Sequence, residues 1–583
     1  MQDLTGSTTA QRRRDVAYHR FAQVLQEVAA RFQHSALSLA VTERADFACA
    51  LCDAEGESVI EWAGSALVAG TLGPQLRGAL AAYPSLAAPA EGHEGDVVAL
   101  CDPFTAGVDP TYLTLCTAIT DEERELVGFL VLCAARGEAA ARRPGARDGQ
   151  AEPPVDLDVM MLPTVEAARQ SELAALPPAV GPRYQVFQDS GSTPMVPLTV
   201  RTAEEEGQPL APTLLTDLLE RQLASLGRDP IERLCDVRAQ RAALHHGQQR
   251  LRALVKRLGK KVVREDLLAQ KEAAEQAMAT ALERIGDGVY AFADSLDDDG
   301  TGTTDLPVRV TLRKAEGRLS VDLTDSAPVS DGALNLVAAV TRSVVRHALR
   351  ALLPEGAPTC DASLRRVQIQ TEPDSLLDVR GARALCAGHE TALRLYDVLL
   401  GALAQALPRD LPAASGGTLS ALVLRTPRLF HREPLAAGRG ASARTSGKDT
   451  RALPPLAGGQ PVSVEILEQR LPVRVLRWAV REGSGGGGVH PGSDGVVREL
   501  LLLSDLHVEL VADRRRRAPF GLAGGGPGQT GRDILVHEGV ELALPAKLRI
   551  LLRAGDVLRT ETPGGGGHGD PTRAQFFAQL LAV

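Results

Sequence analysis

The stretch KLRILLRAGDVLRTETPGGGGHGDP, residues 547–571, carries the clearest structural pattern near the end of the chain. Apolar and polar residues alternate over short runs before the glycines, which is typical of β-strands with one buried face. Four consecutive glycines follow, Gly564 to Gly567. A phosphate-binding P-loop is excluded because His568 and Gly569 follow them, where that motif requires Lys and then Ser or Thr. We therefore predict strands that end in a tight, glycine-dependent turn.

Periodic patterns upstream divide the chain into four segments. Residues 1–135 begin with a helical pattern at residues 20–41 and continue with strand-like runs, so they predict a mixed α/β part. Residues 136–210 are rich in Ala, Arg, Gly and Pro and predict a flexible or irregular connector. Residues 211–460 predict two or three packed helices followed by an α/β region, and residues 461–583 a β-rich domain. The predicted fold class is α+β, with several domains.

Composition restricts the class of protein. With 583 residues, 44% of them apolar, the chain can bury several cores. The net charge is −9 and the basic residues are spread along the chain, which argues against a nucleic-acid partner. The longest apolar run, LVGFLVLCAA, is far shorter than the roughly 20 residues of a membrane span. Eight scattered cysteines do not form a disulfide framework. We expect a cytoplasmic globular protein with reduced thiols and no membrane partner.

Three short motifs resemble ligand sites but have simpler explanations. Aligning residues 294–306 on a calcium loop, with Gly300 at the sixth position, places Leu306 where a bidentate Glu is required, so an acidic turn is favoured. The CALC motif, residues 49–52, lacks the further ligands of a zinc site and predicts buried strand residues. The arginine- and glycine-rich residues 513–531 predict either an anion site or a solvated strand end.

Several stretches, read together, resemble the hydantoinase B/oxoprolinase family over nearly the whole chain. The closing third is the most specific part of the resemblance. The stretches that carry it are ERADFACALCDAEGE (residues 43–57), DVRAQRAALHHGQQRL (236–251), DGVYAFADSLDDDG (287–300), HETALRLYDVLLGALAQALP (389–408), PAASGGT (412–418), residues 461–500, DRRRRAPFGLAGGGPGQTGRDIL (513–535) and RAGDVLRTETPGGGGHGDP (553–571).

The resemblance implies a reaction that is shared between two proteins. In this family an A-type partner with an actin-like ATPase fold phosphorylates the amide or carbonyl oxygen of the substrate. The B-type subunit then hosts the attack of water, or of an activated carboxyl donor, on the intermediate. Phosphorylation is useful because a lactam carbonyl is a poor electrophile and its phosphorylated oxygen is a leaving group. For this chain the resemblance implies a hetero-oligomer, with ATP on the partner and a cyclic amide or ketone as substrate.

The metal ligands that the resemblance implies are only partly retained. The family draws one ligand from an Asp in an RxDFSCA motif, and Asp46 in RADFACA keeps it. Its NDPYxGGTHLPD motif reads CDPFTAGVDPTY here, which puts Asp109 in place of a His and Tyr112 in place of an Asp. Arg136 stands where the family has a paired histidine, and a guanidinium cannot bind a cation. We therefore expect no resident cofactor, and a divalent metal would retain only Asp46.

Five remaining groups are predicted as catalytic candidates: Asp46, Asp102, Asp109, His389 and Glu390. A carboxylate can act as a general base for water when burial raises its pKa. Each candidate also has a structural explanation. Asp46 is suited to capping a strand turn, Asp102 and Asp109 each precede a proline in a common turn pair, and Glu390 begins a predicted helix, where a negative charge is favourable.

The sequence is compatible with three functions. The first is a B-type subunit of an ATP-dependent amidohydrolase that opens hydantoin, 5-oxoproline or lactam rings, or of a related carboxylase. The second is a catalytically degenerate paralogue that serves such a complex as a structural or regulatory subunit. The third is a biosynthetic enzyme that uses the same scaffold for a different acyl transfer. Whether the chain is itself an enzyme stays open at this point.

Overall fold

The computed structural model describes most of the chain. The described residues are 2–82, 84–87, 96–100, 111–135, 140–141, 155–156, 213–214, 230–380, 385–426, 429–447 and 453–572. Asp102, Asp109 and Arg136 lie outside them, as does nearly all of the predicted connector.

The described residues form a mixed α+β protein, as predicted. The α-helices, numbered in chain order, are α1 (Gln2–Ser35), α2 (Leu39–Thr42), α3 (Ala66–Ala69), α4 (Leu72–Ala82), α5 (Pro230–Leu258), α6 (Lys260–Glu283), α7 (Ala338–Arg350), α8 (Gly388–Ala406) and α9 (Val464–Arg470). The strands are β1 (Phe47–Asp53), β2 (Ser58–Ala63), β3 (Val98–Leu100), β4 (Tyr112–Thr120), β5 (Leu126–Ala135), β6 (Ala140–Ala141), β7 (Val155–Asp156), β8 (Thr213–Leu214), β9 (Gly288–Asp298), β10 (Thr304–Ala315), β11 (Arg318–Asp322), β12 (Val367–Gln370), β13 (Ala421–Thr426), β14 (Leu429–Glu433), β15 (Val473–Arg481), β16 (Gly495–Leu502), β17 (Leu506–Val511), β18 (Arg532–His537), β19 (Val540–Leu544), β20 (Lys547–Leu552) and β21 (Val557–Glu561). None of the described helices is long and apolar enough to span a membrane.

The N-terminal region is a six-stranded sheet covered by helices. Its strand order is β2-β1-β5-β4-β3-β8. Helix α1 buries Phe21, Leu25 and Phe32 at the helical spacing that the sequence predicts, and the Phe32 ring packs edge-on against Phe47 of β1. Cys49 and Cys52, from the CALC motif, are buried in β1, which confirms the strand interpretation.

Helices α5 and α6 confirm the expected packed helices of the central segment. Gly259 separates them with a φ of +83°, a conformation that glycine adopts without a steric cost. Helix α5 packs on the N-terminal sheet, where the Gln240 side-chain amide donates hydrogen bonds to the carbonyl oxygens of Leu113 (3.1 Å) and Leu132 (2.8 Å). The segment predicted to start at residue 211 therefore contributes part of the core of the segment predicted to end at residue 135.

The central region is a four-stranded sheet with helices α7 and α8 against it. The strand order is β12-β11-β10-β9, and Leu306, Val308, Val310 and Leu312 of β10 alternate into the core. Helix α8 is buried along most of its length, so its sequence is apolar on several faces. The acidic turn at Asp299 is confirmed, because its carboxylate accepts hydrogen bonds from the backbone N–H groups of Thr301 and Thr303.

The C-terminal region contains two antiparallel sheets, ordered β14-β13-β17-β20 and β15-β16-β21-β18-β19, as the β-rich prediction implied. They share one core that includes Leu424, Leu500, Val508 and Leu548. Strands β13 and β14 precede residue 461 in the chain yet pair within the first of these sheets.

The four glycines form a buried extended segment, so the predicted tight turn is wrong. An added Cβ would lie 1.9 Å from the carbonyl oxygen of Ser484 at Gly564 and 2.0 Å from that of Phe520 at Gly566. The Gly566 N–H donates to the carbonyl oxygen of Ala414 at 2.8 Å. The segment is glycine-rich because neighbouring backbones approach too closely for any side chain.

Candidate functional site

A cavity of about 300 Å³ lies where the N-terminal sheet, the start of α8, strand β14 and the loop before α9 meet. Its walls combine ionisable, hydroxyl and apolar side chains, a composition suited to a small polar ligand. The polar residues that line it are Ser38, Arg44, Asp46, Ser65, Thr111, Tyr112, Glu232, Arg233, Asp236, His389, His431, Arg432 and Arg470.

Asp46, Tyr112 and His389 meet on one wall of this cavity. The Tyr112 hydroxyl donates a hydrogen bond to Asp46 Oδ1 at 2.9 Å and lies 3.5 Å from His389 Nε2. Ala135 sits between the first two residues, because its N–H donates to the Asp46 carbonyl oxygen at 3.0 Å and it pairs with Tyr112 across β4 and β5. Strand pairing thus brings together a carboxylate and a phenol that are far apart in sequence.

His389 is held in its neutral form. Burial, with the positive charges of Arg432 and Arg44 nearby, lowers the pKa of His389 to about 3. The Tyr112 and His389 rings are stacked, with centroids 6.4 Å apart. A neutral imidazole retains a free lone pair at neutral pH and can accept a proton from water or a hydroxyl group.

Glu390 points away from the cavity although it follows His389 directly. Consecutive helical residues project about 100° apart, so the two side chains diverge. The Glu390 carboxylate accepts a hydrogen bond from the Leu419 N–H at 3.0 Å and lies in the protein interior. Burial and the nearby Asp513 carboxylate raise the pKa of Glu390 to about 7. Of the five catalytic candidates, the structure brings Asp46 and His389 together and separates Glu390 from them.

Strand β14 contributes cavity residues that the sequence analysis missed. His431 and Arg432 both line the cavity, and Arg432 donates to the Cys386 carbonyl oxygen at 2.9 Å. Behind them, Glu433 receives a hydrogen bond from Arg498 at 2.6 Å. Burial by itself raises the pKa of Glu433, but the charges of Arg498 and His431 outweigh it and lower the pKa to about 2. The charged run HRE inside an apolar strand was the available signal.

The arginine-rich residues 513–531 are not a simple solvated strand end. Arg514 is fully buried and forms ion pairs with Asp294 (2.8 Å) and Asp397 (3.0 Å). Arg394 pairs with the same Asp294 at 2.7 Å, so strand β9 and helix α8 are joined to the C-terminal region by buried charges. Arg517, in contrast, is exposed and pairs with Asp305 at 2.6 Å.

Comparison with known proteins identifies the family. The model of the hydantoinase B/oxoprolinase family matches residues 12–172 and 181–571. The chain belongs to the hydantoinase B/oxoprolinase family. This confirms the resemblance predicted from the sequence.

Relatives of this hydantoinase B/oxoprolinase family member support the same fold. It is 26% identical to 5-oxoprolinase 1 of Arabidopsis thaliana over 569 residues, covering 94% of this chain but 41% of that protein. Its structure is similar to an ATP-dependent caprolactamase from Pseudomonas jessenii, with a TM-score of 0.79 and 19% identity, covering 98% of this chain and 93% of that chain. It is also similar to a nucleotide-free acetone carboxylase, with a TM-score of 0.76 and 14% identity, covering 96% and 76% of the two chains.

The described residues do not fit the metal site that the family resemblance implies. Asp46 is engaged by a tyrosine hydroxyl, and Tyr112 itself stands at a ligand position. Within the described part of the chain, no group of three His, Cys, Asp or Glu side chains is placed to hold a metal ion. Asp109 and Arg136, at the other two positions, lie outside it.

Proposed function

We propose that this chain is the B-type subunit of an ATP-dependent cyclic-amide hydrolase, or of a related carboxylase, and that it acts on an intermediate phosphorylated by an A-type partner. The observation that carries the proposal is the cavity with Asp46, Tyr112 and His389 on one wall, in a family member whose relatives include a 5-oxoprolinase. The structural similarity to an ATP-dependent caprolactamase along 98% of the chain supports the same class.

The partner follows from the extent of the chain. This chain corresponds to 41% of the length of the Arabidopsis 5-oxoprolinase, so a separate protein would supply the remainder. The glycine-rich stretches of the sequence lack the Lys and Ser or Thr of a P-loop, which is consistent with ATP binding on the partner. We place the resulting hetero-oligomer in the cytoplasm, where ATP and reduced thiols are available.

The cavity wall offers a route for the attack of water. His389 is neutral and can accept the proton of a water molecule that attacks the activated carbonyl carbon. Tyr112, whose hydroxyl lies between Asp46 and His389, fixes the orientation of the imidazole and of Asp46. The carbon–oxygen bond to the phosphorylated oxygen then breaks, and phosphate leaves with the bonding electron pair.

A structural or regulatory role is the second candidate. It is favoured by the tyrosine at position 112, which ties up the Asp46 carboxylate, and by the lack of a three-ligand cluster in the part of the chain that the structure describes. In that case the scaffold and a partner-binding surface would be used without chemistry in this cavity.

Co-purification followed by product analysis tests the proposal. The full chain is expressed with the neighbouring A-type protein, and the complex is incubated with ATP and with lactams, hydantoins, 5-oxoproline, or ketones with bicarbonate. Ring-opened or carboxylated product that disappears with Asp46→Ala, while the complex still forms, is the expected result. A stable complex that forms no product from any of these compounds would favour the structural role.

A further inference from the structure

Arg44 is a buried cation whose hydrogen-bonding capacity is unused. Its side chain lines the cavity and the residue is 8% exposed. Its Nε atom is buried and has no hydrogen-bond partner among the described residues. The charge partner that the structure gives it is Asp46, at 3.8 Å between Nη2 and Oδ2, which is too long for a hydrogen bond. A desolvated guanidinium in this state is unfavourable unless something else binds it.

The nearby carboxylates are already engaged. Asp46 Oδ1 accepts the Tyr112 hydroxyl hydrogen bond. Asp236 Oδ1 accepts hydrogen bonds from the N–H groups of Leu37 (2.6 Å) and Ser38 (3.3 Å), which hold the start of α2. Neither acid is therefore positioned to satisfy Arg44.

The remaining cavity wall is positively charged overall. Four arginines line it, Arg44, Arg233, Arg432 and Arg470, against three carboxylates, Asp46, Glu232 and Asp236. A guanidinium presents a planar set of N–H donors that matches the two oxygens of a carboxylate or phosphate. A cavity of about 300 Å³ admits a molecule of metabolite size, not a macromolecular chain.

We propose that Arg44 is the centre of an oxyanion-binding subsite in this cavity, with Arg432 on the same wall, and that the small molecule bound here carries a carboxylate or a phosphoryl group. This inference rests on the proposed function in one respect, because it assigns the cavity to the substrate or its activated form. The subsite divides the family's substrate types. It favours anionic cyclic amides over neutral lactams and ketones, unless the anionic group is the phosphoryl added by the partner.

Binding measurements on the isolated full chain test the subsite. The probes are 5-oxoproline, its neutral counterpart 2-pyrrolidinone, and inorganic phosphate, each titrated by calorimetry at fixed ionic strength. At least one anion should bind about tenfold or more tightly than 2-pyrrolidinone, the ratio expected for hydrogen bonds to a charged group. Preference for 5-oxoproline identifies a substrate carboxylate as the anion, whereas binding of phosphate with no such preference identifies a phosphoryl group.

Substitutions assign the effect to Arg44. Arg44→Met keeps much of the side-chain volume and should weaken the anion about tenfold or more while leaving 2-pyrrolidinone unchanged. Arg44→Lys keeps the charge without the planar donors and should fall between the two. The matched control is Arg318→Met, the same change at an exposed position on β11, which should bind like the unmodified protein.

Two results would overturn the subsite: equal binding of neutral and anionic probes, including binding of none, or an anion preference that survives Arg44→Met. Should Arg44→Met fail to fold by circular dichroism, the probe ratio of the unmodified protein and Arg44→Lys still decide. Turnover by the complex separates this inference from the proposed function. Arg44-dependent anion binding without turnover refutes the function alone, and turnover without it refutes the subsite alone.

Discussion

Glu390→Gln is expected to make the protein more stable above neutral pH. The Glu390 carboxyl group is buried near Asp513, and its pKa rises from 4.5 to about 7 on folding. The folded state therefore holds a proton that the unfolded state releases between these values. Stability is highest below pH 4.5, falls as pH rises toward 7, and loses about 3 kcal/mol in total from this group. Gln removes the titration and keeps an oxygen acceptor for the Leu419 N–H.

Urea denaturation followed by circular dichroism measures the effect. The difference between Glu390→Gln and the unmodified protein should be close to zero at pH 5 and reach about 3 kcal/mol in favour of Gln at pH 8. Taking the difference cancels the titration of Asp513 and Lys547 to the extent that Gln leaves them unchanged. Glu372→Gln, at an exposed position, is the control and should show no pH-dependent difference. A difference that does not change between pH 5 and pH 8 would refute the reasoning.

The same variant separates two roles for Glu390. Since the side chain lies outside the cavity, the complex with Glu390→Gln should retain turnover, whereas a general base at this position would lose it on this substitution.

Other substitutions probe the cavity, the glycine segment and the buried ion pairs. Asp46→Asn should leave the unfolding midpoint nearly unchanged but lower turnover of the complex at least tenfold; unchanged turnover would remove Asp46 from the site. Gly566→Ala should destabilise by about 3 kcal/mol or more, because its Cβ would lie 2.0 Å from the Phe520 carbonyl oxygen, whereas Gly487→Ala, with nothing within 4 Å, should cost about 0.5 kcal/mol or less. Equal urea midpoints for the two glycine variants would contradict the packing described above. Arg514→Met should cost about 3–5 kcal/mol by leaving buried carboxylates unpaired, and a loss below 1 kcal/mol in urea denaturation would show that they are not.

Local patterns were sufficient to predict most of the fold. Alternation in β10 and helical spacing in α1 each follow from which face is buried, so period and element type agree. The run at Gly564 to Gly567 was misread because a turn and a tightly packed extended segment both demand residues without a Cβ. Only the neighbouring backbones of Ser484 and Phe520, distant in sequence, distinguish the two structures.

The site was harder to predict than the fold. Asp46 and His389 were found through the resemblance, and their proximity depends on strand pairing and on the start of α8, which no local pattern encodes. His431 and Arg432 were missed because polar residues in a short strand look like an exposed edge. Glu390 was grouped with His389 by sequence adjacency, although helix geometry sends the two side chains in different directions.

The most direct test of the proposed function is substrate-dependent ADP release by this chain purified together with its A-type partner. The panel comprises 5-oxoproline, hydantoins, small lactams, and ketones with bicarbonate, with the partner alone as the control. The account predicts that one class of substrate stimulates ADP release in the complex, with product in matching amount. A stable complex that releases no additional ADP with any of these substrates would contradict it.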